Sequence, residues 1–147
     1  EKLSLYVGER RLITADDVAA VVTATAGPAA FALTNALTAG DPQAALKALS
    51  GMLTTRGQEF RVTGMIRWHL QKVLRGCQLA AAGDRPERAL SPRIPPSQRN
   101  AFLSLMKRRS LRAVQGDFRD LIRTDLAMKS GTPAQAALQE LVILLCS

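Results

Sequence analysis

Aromatic side chains make up only 4% of this 147-residue sequence, and histidine occurs once, at His69. A single imidazole and two cysteines cannot assemble the four nitrogen and sulfur ligands of an ordinary zinc site, so no metal centre is expected. Cys77 and Cys146 form no CxxC motif and sit in separate helical patterns, which reads as two free thiols in a reducing cytoplasm. No apolar run approaches the roughly 20 residues that span a bilayer. The longest, LVILLC at 141–146, falls far short, so no membrane partner is expected. A GxxxxGK[ST] phosphate loop is lacking, and no serine or cysteine near His69 makes a nucleophile motif. These gaps leave no catalytic residue and no cofactor to assign. No signal-peptide pattern opens the chain; Glu1 leads straight into amphipathic EKLSLYVG, and the sequence is expected to begin inside a longer protein.

What is present is apolar and helical. Apolar residues reach 47%, with mean hydropathy close to zero, enough for a packed core. Strand-like alternation is almost absent, while helix punctuation is frequent. EKLSLYV stops at Gly8, and Thr14 is placed to cap a short helix that runs to about residue 25, with Asp17 three positions on. AGP at 26–28 breaks that pattern, which sets a boundary between 1–27 and 28–147. A helix over roughly 29–39 ends at AGDP, where Gly40 stops one helix, Asp41 caps the next and Pro42 opens it. The periodicity of Ala45, Leu49, Met52 and Leu53 predicts that next helix. A long one is predicted over about 59–82, from Val62, Met65, Ile66, Leu70, Val73 and Cys77. Four prolines in GDRPERALSPRIPP (83–96) predict a loop or extended linker. Further helices are predicted from a Ser97 cap to about residue 109, from a Ser110 cap to Ser130 and Gly131, and from Pro133 to about 145. The fold class is therefore all-α, with two short N-terminal helices before a bundle of about five to six.

The net charge of +8 is concentrated: residues 85–124 hold ten basic and three acidic residues, a net of +7. Lys107, Arg108, Arg109 and Arg112 bracket the helix break at Ser110. They are the candidate nucleic-acid contacts, through sequence-independent attraction to phosphate. The alternative is a solvated face whose cations stabilise a helix C-terminus. No aromatics alternate with these bases, which weakens single-strand binding. Trp68 offers a stacking ring or an ordinary packing surface. His69, between Ile66 and Val73 on the apolar stripe, reads as a core residue.

Asp125 poses a separate question. Stepping back along its helix meets Leu121, Phe118, Val114 and Leu111, an apolar face on which a carboxylate is out of place. Asp125 and Lys129 make a favourable i,i+4 surface pair. The alternative, favoured because a buried carboxylate needs good partners, is that Asp125 bonds to a neighbouring helix as a structural clasp.

The order of these signals resembles the delta subunit of the bacterial DNA polymerase III clamp loader. EKLSLYVGERRLITADDVAAVV resembles the end of that family's AAA+ lid, with its I-T-x-x-D-V helix. FALTNALTAGDPQAALKALSGMLTTRGQEFRVTGMIRWHLQKVL looks like the start of its C-terminal domain. LSPRIPPSQRNAFLSLMKRRSLRAVQGDFRDLIRTDLAMKSGTPAQAALQELVILLC looks like the remainder, including D-x-x-x-K-x-G at Asp125 and Lys129. Trp68, His69 and the proline-rich 83–96 depart from the family's pattern. The resemblance implies a lid end at 1–27 and a helical collar domain at 28–147, the part through which five subunits pack into a ring. Its partners would be gamma/tau-like and delta-prime-like loader subunits, with primer–template DNA inside the complete assembly. The sliding clamp would be met only by an N-terminal domain preceding this stretch. Delta-like subunits are not working ATPases, so the resemblance implies a fragment that assembles rather than catalyses, with Asp125 and Lys129 serving the packing of the last two helices. An autonomous basic module that binds nucleic acid through residues 93–123 is the competing expectation.

Overall fold

A computed structural model of the chain describes residues 28–147. It contains six α-helices, α1 (Pro28–Ala39), α2 (Pro42–Met52), α3 (Gln58–Ala81), α4 (Pro96–Arg108), α5 (Leu111–Lys129) and α6 (Ala134–Cys146). A short 3-10 helix, Pro86–Ala89, lies between α3 and α4. No strand occurs among the described residues, so the fold is all-α. The lid expected within 1–27, with its Thr14 cap, lies outside the described residues.

Local chemistry sets most of the helix ends. Gly40 turns the chain at φ +71°, and Asp41 accepts a hydrogen bond from the Ala44 amide at 3.0 Å, ahead of Pro42 at the first helical position. Ser110 likewise accepts from the Ala113 amide at 3.1 Å, and Gly131, at φ +103°, lets the chain leave α5. The Ser97 cap is not formed. The helix begins one residue earlier, at Pro96, and Pro95 precedes it without a side-chain cap. Proline's fixed φ starts the turn, and its missing N–H removes one of the first-turn donors that have no partner within the helix.

α3 is the spine. At 24 residues it is about 36 Å long, and its two halves serve two cores. The N-terminal half packs Val62, Met65, Ile66 and Leu70 with α1, α2, Leu121 of α5 and Leu138, Leu141 and Val142 of α6. The C-terminal half packs Val73 and Cys77 with Phe102, Leu105 and Met106 of α4 and Val114 of α5. Phe118 touches both clusters and joins them.

The proline-rich segment is more than a linker. Its 3-10 turn packs on α3, and Ala89 and Leu90 are buried in the second core. Proline forbids a long helix there, but it does not stop the apolar side chains from being used. Close approach of α3 and α4 depends on Gly76, because a Cβ at that position would overlap the Met106 thioether.

Candidate functional site

The four cations at the α4–α5 break do not form one surface. Arg108 donates through Nη2 to the Thr38 carbonyl at 3.0 Å, satisfying an otherwise unpaired carbonyl at the end of α1. Arg109 turns inward. Its Nη2 bonds both carboxylate oxygens of Asp117, and its Nη1 donates to the Ser147 carbonyl at 3.0 Å. Lys107 and Arg112 remain exposed, on different helices. Half of the expected phosphate cluster thus holds protein groups.

Arg109 and Asp117 also supply the inter-helix clasp. The chain leaves α4 at Arg109, and the Asp117 carboxylate waits two turns into α5, between core residues Val114 and Leu121. Their side chains keep 19% and 10% of their exposure, so the pair is largely dry. Burial pushes the Asp117 carboxyl above its ordinary pKa; the Arg109 hydrogen bond and charge pull it back, while Asp120 pushes it further up. The Cys77 thiol donates to the Met106 and Arg109 carbonyls at 3.8 and 3.6 Å, tying α3 to the same corner. Both cysteines are free thiols.

The Asp125 expectation is corrected. Asp125 is partly exposed, and the bond it makes is to Lys129 on its own helix, at 2.6 Å. The apolar stripe of α5 runs through Val114 and Leu121 to Asp117, leaving Asp125 at its edge. A polar residue does sit on the buried face of this helix, but it is Asp117. Residue types alone hint at this, since Asp117 lies three residues after Val114 and four before Leu121.

His69 is a core residue, 3% exposed, with its ring 5.4 Å from that of Phe102. Burial alone lowers its pKa to about 4, and its Nδ1 has no hydrogen-bond partner among the described residues. It lines a crevice of about 10 Å³ with Leu37, Leu105, Arg109 and Asp117. Trp68 is half-buried and lies 5.8 Å from the Lys72 ammonium, with its Nε1 also unpartnered among the described residues. A ring held in this way serves packing and a cation contact rather than a stacking platform.

Two outer faces are more open. α5 and α6 expose Ile122 and Leu126 at 58% each, and Ile143 and Leu144 at 48% and 43%. Between the two helices runs a groove of about 330 Å³, lined by Asp120, Arg123, Thr124, Glu140 and, alone of those four apolar side chains, Leu144. The outward face of α3 is polar and basic. Among the described residues no group of three or more His, Cys, Asp or Glu is placed to hold a metal ion. No described helix is long and apolar enough to cross a membrane.

No protein-family model matches the chain, and no curated protein matches it.

Proposed function

We propose that this chain is a non-catalytic assembly module of a cytoplasmic DNA-replication clamp loader, comprising the lid end and helical collar of a delta-like subunit. In this reading residues 28–147 pack against gamma/tau-like and delta-prime-like subunits, and the full-length protein contributes to loading the sliding clamp around primer–template DNA. The reading is supported by the ordered sequence signals from 1 to 147, together with one structural observation. Four large aliphatic side chains, Ile122, Leu126, Ile143 and Leu144, stand exposed on two helices that pack against each other. Scattered apolar residues are normal on a surface, but several large ones on one helix pair leave apolar area that a protein partner would cover. The competing reading, a basic module centred on 107–112, has less behind it, since Arg108 and Arg109 already bind Thr38, Ser147 and Asp117.

The test is size-exclusion chromatography with light scattering, with the fragment mixed with the same organism's other loader subunits at micromolar concentration. The expected result is a stable co-eluting complex that is lost in an Ile122→Asp/Leu126→Asp variant whose helicity is unchanged. A fragment that remains alone with every subunit overturns the reading.

A further inference from the structure

We infer that the outward face of α3 is a docking surface for the phosphate backbone of a nucleic-acid duplex, with Arg67 and Arg75 as the charged contacts and Gln71 and Gln78 as neutral donors. This inference does not depend on the assembly reading: it uses a different helix, and its test needs no other loader subunit.

The face follows from the helix period. At 100° per residue, Phe60, Gly64, Arg67, Gln71, Arg75 and Gln78 fall within one arc of about 80°, opposite the buried stripe of Val62, Ile66, His69 and Val73. All six are exposed. From Arg67 to Gln78 the line runs about 16 Å along the axis, straight and held on a rigid element. α3 contains a single acid, Glu59, which lies in the first turn and accepts from the Gly57 amide at 2.9 Å. Neither Arg67 nor Arg75 makes a hydrogen bond or ion pair among the described residues. Their guanidinium groups are thus available, in contrast to those of Arg108 and Arg109.

Charge and residue type select the partner. A stripe of arginine and glutamine with no acid along it repels basic surfaces and attracts anionic ones. Arginine forks and glutamine amides are both common donors to phosphate oxygens. A protein interface would need an apolar anchor at its centre. Here the apolar residue, Phe60, lies at one end, and the centre, at Arg67 and Gln71, is polar. Single-strand binding depends on several stacking rings, and this face has one. A regular array of duplex phosphates fits a straight, ring-poor, basic stripe best.

The test is fluorescence anisotropy of a labelled 20-base-pair DNA duplex, titrated with the chain at several salt concentrations. Three proteins are compared: the unaltered chain, Arg67→Gln/Arg75→Gln, and Lys107→Gln/Arg112→Gln, which removes the same charge from other helices. Circular dichroism verifies equal helicity. The α3 pair is expected to reduce the slope of log affinity against log salt by about 2, and the other pair by much less. Equal losses from both pairs would show a net-charge effect and overturn the site. Absence of duplex binding at low salt overturns it as well. So does displacement of the labelled duplex by poly-glutamate at a lower concentration of charge than unlabelled duplex requires, which would make the partner an acidic protein.

Discussion

Arg109 and Asp117 show what separates a clasp from a surface pair. Removing one member of a largely dry pair leaves the other charge buried and uncompensated, which costs about 3–5 kcal/mol. A solvated i,i+4 pair contributes a few tenths of a kcal/mol. Asp117→Ala is therefore expected to lower stability by roughly 3 kcal/mol, and Asp125→Ala and Lys129→Ala by less than about 0.5 each. Urea denaturation of the three variants measures this directly. Equal small effects would mean that Asp117 contributes no more than the surface pair. The sequence raised the right question, a carboxylate on an apolar face, but at the wrong residue. Asp125 follows Leu121, Phe118, Val114 and Leu111 at helical steps, yet the stripe drifts around the helix and Asp125 ends at its edge. Arg109 and Asp117 are joined across a helix break, and no periodic pattern marks a contact of that kind.

At the scale of helices, ends were the most legible feature because their chemistry is local. Gly40, Asp41 and Pro42 specify a stop and a start within three residues, and Ser110 and Gly131 do the same for α5. Burial of the 83–96 segment was hidden, since prolines announce where a helix cannot form and say nothing of what Ala89 and Leu90 pack against. The same holds for α3, where two glycines look alike in sequence and differ in surroundings. Gly64 faces open space, so Gly64→Ala is expected to stabilise the protein by up to about 1 kcal/mol through helix propensity. A methyl at Gly76 would run into the thioether of Met106, a buried side chain that would have to repack. Gly76→Ala is expected to destabilise by about 1–2 kcal/mol net, the overpacking outweighing the gain in propensity. Thermal melts of the two variants should move in opposite directions. A stabilised Gly76→Ala would mean that α4 can shift without loss.

For the whole molecule, the decisive arrangement is one long helix shared by two cores, with His69 close to where they meet. Its ring packs on Phe102 of the second cluster, while the crevice it lines includes Leu37 from the first. A proton on this imidazole would therefore oppose both cores at once. The folded pKa is about 4, below the ordinary value of 6.5, so the folded state binds fewer protons than the unfolded chain between those values. Stability from the neutral imidazole is fully present above pH 6.5 and is lost as pH falls towards 4, roughly 2 kcal/mol by pH 5 and roughly 3 in full. Asp117 acts in the opposite sense. Its raised pKa means the folded state takes up a proton first, which offsets part of the loss at the acid end of that window. A His69→Leu variant should lack the decline between pH 6.5 and 5, while retaining whatever the carboxylates contribute below it. Because α3 links the clusters, the decline should appear as a fall in the stability of the entire bundle. Urea unfolding at each pH, followed by fluorescence of Trp68 and by far-ultraviolet circular dichroism, should give coincident midpoints. Separate midpoints would mean that the cores unfold independently and that α3 does not couple them. A pH dependence unchanged in His69→Leu would assign the acid sensitivity to the carboxylates instead.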